Sequence, residues 1–419
     1  MILFIIEVRE MNVIEFANII KELHGTAYFV GGCVRDEIMK RIPHDYDLMI
    51  CGVKESDFNK RFPNATYMGN SFPVYRMEFD GEEMEVAFAR KERKTGFGYT
   101  GFKIFFDPSI TLQDDLIRRD TTINAMAKNV LTGEIVDLFN GMEDIKRKVI
   151  RHVSYHFSED PVRALRVARQ ATQFGFSVDS STMEQMKLCK EELAKESNER
   201  FVTELIKALS TDKPSTFFRI LKEADLLDVT FPFVFNLIGK EQSRKWHPEG
   251  DAFEHTMLIL DKVSQVNNDV CVRFSALTHD IGKGALEAPY RGHDVVGVDL
   301  IESLPQTYLN KWKTMAKFTS NYHMRVINMK NLGKIVDMLT EMKHKNIDRE
   351  GFRQIVNADS NNVAWFLEEP IFKLVNSVNI SIPSHMKKTS DIKAFVRNLK
   401  IKALQNKVLE MKIGNGDCK

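Results

Sequence analysis

At 419 residues, 43% of them hydrophobic and 28% charged, the chain is too long for one small module and too apolar for a disordered one, with room for roughly two to four domains. Lys and Arg number 59 against 58 Asp and Glu, so the net charge of +1 excludes a globally basic nucleic-acid binder; only local patches, RKERK at Arg90–Lys94, KRK at Lys146–Lys148 and the tail from Lys387 to Lys412, could neutralise phosphates. Five scattered cysteines without a C-x-x-C pair exclude a disulfide framework and a thiolate zinc site, and point to reduced, mostly buried thiols.

The opening MILFIIEVRE is apolar for only a few residues, lacks a basic leader and soon meets Glu7, which fits neither a secretory signal nor a membrane span. Residues 1–25 therefore read as an N-terminal extension of a cytoplasmic protein with no membrane partner. From Ala27 to about Val136 short apolar or alternating runs (AYFV, DLMI, VYRMEF, KIFF) separated by Gly, Pro, Asn and Asp predict a sheet, and residues 26–150 are assigned to one domain. In FVGGCVRDEIM, Gly31 and Gly32 would let backbone approach a phosphate, with Arg35 adding positive potential. Asp45 and Asp47, two apart on an expected strand, turn both carboxylates to one face, a spacing of hard oxygen ligands that suits Mg²⁺. Glu85 is either a third acidic group beside that metal or an exposed residue at a strand edge. Asp114–Ala127, DDLIRRDTTINAMA, sets three carboxylates and two adjacent arginines before an apolar run. Its bland explanation is a solvated helix start.

From Ser158 onward helical periodicity takes over, as in DPVRALRVARQATQF and RFVTELIKALS, and residues 151–240 read as an all-α segment. Ser158 can cap its helix, which puts Asp160 and Arg163 on neighbouring positions of one face. A surface ion pair is the commoner explanation of such a pair. Pro and Gly on either side of a charged turn between Pro232 and Gly250 mark a boundary before a helical domain at 241–370 and a basic helical tail at 371–419. There His255, then His279 and Asp280, supply imidazole and carboxylate ligands for a divalent metal, with Lys283 just beyond and His293, His323 and Asp359 as further candidates.

GGCVRD with DYD, then DDLIRRDTTINAMA, EIVDLFNGMED and SEDPVRALRVARQA, in that order, resemble the class II tRNA nucleotidyltransferases, the CCA-adding enzymes. WHPEGDAFEH and RFSALTHDIGKG resemble the bacterial subgroup with an HD phosphohydrolase domain. The resemblance runs from about Tyr28 to about Asp359 and implies an α+β protein: a polymerase-β-like sheet head, a helical neck and body, and an α-helical HD domain. It further implies that Arg119 contacts a nucleoside triphosphate, that Asp120 and Asn124 organise a ribose pocket, and that the segment Arg90–Phe102 is a flexible loop involved in switching between C and A addition. Protein side chains would act as the template. Asp160 would then accept from the amino group of cytosine or adenine and Arg163 would donate to the ring acceptor beside it, so uracil and guanine, with a carbonyl there, are rejected. Arg166 and Arg169 follow on the same helix and are expected to reach phosphates. Thr121 stands where an aromatic or aliphatic residue is common, a local packing change.

The activity expected is template-independent addition and repair of the tRNA 3′-CCA from CTP and ATP with Mg²⁺, by a monomer or homodimer. A second phosphohydrolase centre would use Ni²⁺, Co²⁺, Mn²⁺ or Mg²⁺. Two alternatives are a poly(A) polymerase of the same superfamily and an HD phosphohydrolase whose head only binds RNA.

Overall fold

Which side chains meet the core of the N-terminal sheet is decided by the period-two alternation of its strands. The computed structural model describes residues 11–68, 73–96, 101–245, 247–384 and 386–414. These fall into two compact units, Met1–Glu204 with Arg219–Thr230, and Leu205–Phe218 with Phe231–Lys419.

In the first unit the chain runs α1 (Val13–Glu22), β1 (Thr26–Val30), α2 (Gly32–Ile38), β2 (Asp47–Cys51), α3 (Glu55–Arg61), β3 (Thr66–Tyr67), β4 (Val74–Phe79) and β5 (Glu82–Phe88). It continues through a hairpin of β6 (Lys91–Lys94) and β7 (Phe102–Phe105), then α4 (Leu112–Leu116), β8 (Met126–Asn129), β9 (Ile135–Asp137), α5 (Gly141–Arg147) and β10 (Val149–Ile150). After these come α6 (Arg163–Phe174), β11 (Ser177–Val178), α7 (Ser180–Lys187), α8 (Lys190–Leu193) and α9 (Asn198–Leu209). The seven-stranded sheet has the order β3-β4-β5-β2-β1-β8-β9 and is antiparallel except for the β2–β5 pair. Leu48 and Ile50 of β2 with Val86 and Phe88 of β5 face a core closed by Phe16 and Ile20 of α1 and Phe58 of α3. Met49 points the other way, into a second cluster with Val30, Ala89, Leu116 and Ala127. By the same alternation Asp47, the first residue of β2, and Glu85, at the middle of β5, lie on that second face.

The remaining elements are α10 (Ser215–Glu223), α11 (Leu227–Thr230), α12 (Pro232–Phe235), α13 (Ala252–Ser264), α14 (Val270–Thr278), α15 (His293–Ser303), α16 (Asn310–Ile327), α17 (Leu332–His344), α18 (Arg349–Ser360), α19 (Glu369–Asn376) and α20 (Thr389–Gly414). Every residue of α14 from Cys271 to Thr278 is buried, and the helix is packed by α13, α16 and α18. Even Arg273 is 1% exposed; its guanidinium donates to the carbonyls of Ser264, Asn267, Leu209 and Thr211, so the buried cation is satisfied entirely by backbone and by Asn268. A helix so enclosed holds the two residues at its C-terminal end, His279 and Asp280, in a fixed place.

The expected architecture is the observed one: a mixed sheet domain, then a largely helical region. Cys33, Cys189 and Cys271 are buried and Cys51 half-buried, all as free thiols; burial pushes Cys51, Cys189 and Cys271 up to about 12, so they are inert at neutral pH. Cys418 lies outside the described residues. Among the described residues no helix is long and apolar enough to cross a membrane.

Candidate functional site

Two places in the chain gather chemistry-bearing side chains, one in each unit. In the first, the parallel register of β2 and β5 sets Asp47 directly opposite Glu85, and Asp45 lies two residues upstream, before the strand begins. β5 lies between β4 and β2, so Glu85 is not at a sheet edge, although its side chain is exposed. Asp47 is solvent-facing at its tip, yet the packed strand end desolvates it enough to raise its carboxyl above the usual range; Arg119 opposes that rise, and the neighbouring charges of Glu85 and Asp45 add to it. Like-charged carboxylates gathered in this way are relieved by a cation. Their donor oxygens stand farther apart than those of a closed coordination sphere: among the described residues, every group of three donors within 4.8 Å of one another lies in the helical unit.

The segment DDLIRRD is no solvated helix start. Asp114 caps α4 through Thr111, but Asp115 is 1% exposed and accepts from both arginines at once: Arg118 at 2.5 and 3.2 Å, Arg119 at 3.1 and 3.3 Å. It also accepts the Arg90 N–H at 3.3 Å, while Glu92 accepts from Arg90 at 2.8 Å and Arg118 at 2.9 Å. Burial pulls Arg90 down to about 10, and Arg118 beside it works in the same direction. The clamp lays the Arg119 guanidinium over Gly31, whose φ of 75° no other residue adopts easily and where an added Cβ would stand 2.8 Å from Nη1. Arg35 donates to the Asn124 side chain at 2.5 Å and stacks on Phe174 with 4.7 Å to the ring centre. Residues 97–100 of the expected Arg90–Phe102 loop lie outside the described residues; its flanks are the β6–β7 hairpin, where Lys94 meets Glu192 at 2.5 Å.

Asp120 ties this segment to α6. It is buried and accepts from the Thr121 N–H at 2.8 Å, Asn124 at 3.1 Å, Arg166 at 2.8 Å and Gln170 at 2.9 Å. Burial works against its charge, yet Arg166 and these hydrogen bonds hold its carboxyl far below the usual range. Thr121 is fully buried and donates to the Gln170 side-chain oxygen at 2.8 Å, a bond that an aliphatic residue could not make. Arg169 donates to Glu204 at 2.6 Å and to Gln173 at 2.9 Å, so Arg166 and Arg169 are both engaged with protein carboxylates.

Asp160 departs from its expected setting. Ser158 falls in a 3₁₀ turn over Tyr155–Glu159, α6 begins only at Arg163 without a side-chain cap, and Asp160 has extended backbone ahead of it. Asp160 precedes Pro161, whose ring disfavours the α conformation for the residue before it, so Asp160 stays extended and outside the helix. The partner of Asp160 is Arg200 of α9, which donates to both carboxylate oxygens at 2.9 Å, while Arg163, 6% exposed, donates to the His156 carbonyl at 2.5 Å.

In the second unit, the C-terminal end of α14 delivers His279 and Asp280, both at most 1% exposed, into a ring of imidazoles. Asp280 Oδ2 lies 3.3 Å from His279 Nε2 and 3.9 Å from His255 Nε2; Oδ1 lies 3.3 Å from His293 Nε2 and 3.4 Å from His323 Nε2. His279, His293 and His323 each turn Nδ1 to a backbone carbonyl, of Ala276 at 2.7 Å, Tyr290 at 2.9 Å and Ser320 at 2.9 Å. A carbonyl can only accept, so Nδ1 carries a proton and, with the ring neutral, the Nε2 lone pair is aimed at a carboxylate. Lone pair against lone pair is not a hydrogen bond: His279 Nε2, His293 Nε2 and Asp280 Oδ1 are buried without a hydrogen-bond partner. Such atoms are what a divalent cation satisfies. Donor atoms of His255, His279 and Asp280 lie within 4.8 Å of one another, as do those of Asp280, His293 and His323, and Asp280 belongs to both groups. Asp359 of α18 meets His255 Nε2 at 3.0 Å, and Lys283 meets Asp280 Oδ2 at 2.5 Å. Burial resists charge on Asp280, but the Lys283 ammonium beside it holds it ionised.

Several of these residues were not singled out by sequence reasoning. Glu92 and Arg200 act through partners far along the chain, Arg118 and Asp160, whereas the partners of Asp115 include its neighbours Arg118 and Arg119 but its inward turn is not visible in the sequence; His247 and Glu249, which form a third donor group with His255, stand inside WHPEGDAFEH, where the sequence points only to His255 as a ligand.

Residues 27–151 match the family model described as the poly A polymerase head domain, and residues 175–237 match one described as the probable RNA and SrmB-binding site of polymerase A. Among solved structures, the chain is similar to the apo form I of a CCA-adding enzyme (21% identity, 95% of this chain and 92% of that one, TM-score 0.64). It is also similar to a complex of CCA-adding enzyme with ATP (19% identity, 95% and 93%, TM-score 0.63) and to the Thermotoga maritima CCA-adding enzyme complexed with tRNA-CCA (19% identity, 91% and 88%, TM-score 0.61). The class is thereby defined: a nucleotidyltransferase fold related to that of CCA-adding and poly(A) polymerase enzymes. To it is joined a C-terminal His/Asp cluster suited to a divalent metal.

Proposed function

We propose that the chain adds and repairs the 3′-terminal CCA of tRNA from CTP and ATP without a nucleic-acid template, and that its helical unit carries a second, metal-dependent phosphohydrolase centre. The observation that carries the first part is the register that sets Asp47 opposite Glu85, with Asp45 two residues upstream and the clamped Arg119 guanidinium laid over Gly31. Oxygen donors of the kind Mg²⁺ takes thus stand near a fixed cation of the kind a triphosphate needs. Mg²⁺ held by Asp45 and Asp47 would neutralise charge on the reacting phosphate and on the attacking and leaving oxygens. In that reaction the tRNA 3′-hydroxyl attacks the α-phosphate and pyrophosphate leaves. The protein's own contribution is positioning: Asp115 keeps Arg119 from swinging, so its charge needs no reorganisation when the triphosphate arrives.

Base choice follows from Asp160 and Arg163. Arg200 Nη2, which donates to both carboxylate oxygens, orients the Asp160 carboxylate, and the His156 carbonyl uses one of five N–H donors of Arg163. A carboxylate so held accepts an amino group from cytosine or adenine. Uracil or guanine would bring a carbonyl lone pair against it.

In the helical unit, His255, His279, Asp280 and Asp359 would hold one divalent ion, with Asp280 shared toward His293 and His323. A bound Ni²⁺, Co²⁺, Mn²⁺ or Mg²⁺ would supply an activated water for hydrolysis of phosphoesters such as 2′,3′-cyclic phosphates. Support for that half is the set of buried, unpartnered Nε2 and Oδ1 atoms.

The test is to incubate the protein and Mg²⁺ with tRNA transcripts ending before, within and after CCA, each nucleotide supplied separately. CMP should join transcripts lacking either C, AMP those ending in CC, and nothing should join a complete end. Long runs of AMP on any end would instead favour a poly(A) polymerase, which the head-domain match also fits.

A further inference from the structure

We infer that Glu249 is a positioning residue of the metal centre, whose carboxylate holds the Nδ1–H of His255 so that Nε2 is the ligating atom. This role rests on the metal-centre reading of the helical unit. The four histidines of the cluster are oriented in two different ways. His279, His293 and His323 each bond a carbonyl three residues earlier in their own chain segment, so local backbone geometry sets their tautomer whatever the neighbouring side chains are. His255 sits within α13, and among the described residues its Nδ1 meets no carbonyl; it lies 2.5 Å from Glu249 Oε1, six residues upstream and outside the helix.

The approach to α13 is folded so as to bring that carboxylate back. The Gly250 N–H bonds the His247 carbonyl at 3.1 Å, the Gln242 N–H bonds the Gly250 carbonyl at 2.8 Å, and Glu241 pairs with Asp251 in a short bridge. Gly250 has φ 101°, a conformation that side-chain-bearing residues rarely adopt. The returned Glu249 is half-buried and also lies 3.3 Å from His247 Nδ1, and the His247 ring meets the edge of the His255 ring at 4.6 Å between centres. On its other side His255 Nε2 faces Asp359 at 3.0 Å and Asp280 at 3.9 Å.

A charged carboxylate on Nδ1 does what a neutral carbonyl cannot: besides fixing the ring, it raises the electron density that Nε2 donates to a metal. The two halves of the cluster should therefore differ in affinity. The half containing His255 depends on one side chain, and the half containing His293 and His323 does not.

The experiment titrates the chelator-stripped full chain with Mn²⁺ by calorimetry and records the visible spectrum of the Co²⁺-loaded protein, for wild type and Glu249→Gln. Gln keeps the size and an accepting oxygen but loses the charge. Expected is a loss of roughly 10- to 100-fold in Mn²⁺ affinity and a shifted Co²⁺ spectrum, with the melting temperature of the metal-free protein unchanged. Glu249→Ser is carried alongside, with the same expectation, should the Gln variant fold poorly. Mn²⁺ affinity within twofold of wild type and an unaltered Co²⁺ spectrum would overturn the inference while leaving the metal centre standing. A wild-type chain that takes up neither ion would overturn the metal centre and the inference with it.

Discussion

Asp120 and Asp280, one in each unit, are both buried carboxylates held ionised against the cost of desolvation. Their neighbours differ in kind. Every group bonded to Asp120 is a donor (a backbone N–H, the Asn124 and Gln170 amides, the Arg166 guanidinium), so its charge is fully answered by the protein. Asp280 has one such donor in Lys283, and otherwise meets Nε2 atoms whose protons are committed elsewhere, at Nδ1. Depressed titration alone would not tell these two apart. Counting donors does: a carboxylate ringed by donors is architecture, and one facing lone pairs or other carboxylates lacks a cation. Asp47, raised by burial and by the charges of Glu85 and Asp45, belongs with the second kind although it lies at the surface.

The contrast can be broken in four places. Asp47→Ala should lower CMP addition to a tRNA lacking CCA by roughly 100- to 1000-fold, the range lost with one preorganised electrostatic group, and leave the thermal melt intact; a wild-type rate in the folded variant would move Asp47 to the architectural kind. Asp120→Asn should act on stability, costing about 3 kcal/mol, toward the lower end for a broken buried pair because Arg166 keeps a solvent-facing edge. Its pH dependence has a definite sign. The unfolded carboxyl titrates near ~3.9 and the folded one lower, so the contribution is present at neutral pH and disappears as pH falls through the folded value. The gap between urea melts of wild type and variant should therefore begin to narrow below about pH 4 and keep narrowing toward the folded value, and a gap that stays constant as pH falls below about 4 would refute the assignment.

Mn²⁺ at about 100 times its Kd should stabilise wild type by about 2.7 kcal/mol, stabilise Asp120→Asn equally, and leave Asp280→Asn unmoved; thermal melts with and without Mn²⁺ decide this, and stabilisation of Asp280→Asn would place the ion elsewhere. The smallest effect is on base choice. Asp160→Ala should lose about 1–3 kcal/mol of discrimination, roughly ten- to a hundredfold, lowering CMP and AMP addition more than UMP or GMP. Single-nucleotide addition with all four triphosphates measures it, and a common factor for all four would remove Asp160 from base reading.

The same donor count marks what could be read in advance. Alternation and turn residues reveal AYFV, DLMI, VYRMEF and KIFF as strands, and they fall in β1, β2, β4 and β7, with only Phe106 of KIFF beyond its strand. The D-x-D spacing and the His-Asp pair were visible because their chemistry is local in sequence. Partners were not. Asp160 and Arg163 three residues apart suggested a mutual pair, whereas the bond to Asp160 comes from Arg200, forty residues on, because Pro161 delays the helix and leaves Asp160 outside it. DDLIRRD by its charges alone fits a solvated helix start, and the family resemblance makes it part of a nucleotide site, but nothing in it reveals that Asp115 turns inward to hold Arg118, Arg119 and the Arg90 backbone together. That Glu85 faces Asp47 depends on a parallel pairing between strands that are far apart in sequence.

If the chain carries two independent centres, one built on surface carboxylates and one on a buried imidazole ring, damage to each should be reciprocal. The direct measurement assays two preparations, Asp47→Ala and Asp280→Asn, for both CMP addition to a tRNA lacking CCA with Mg²⁺ and hydrolysis of a 2′,3′-cyclic phosphate with Mn²⁺, Co²⁺ or Ni²⁺. The expected result is that Asp47→Ala loses addition and keeps hydrolysis, and that Asp280→Asn loses hydrolysis and keeps addition. Loss of both activities in either folded variant, or a wild-type chain lacking one of them, would contradict the assignment of two centres.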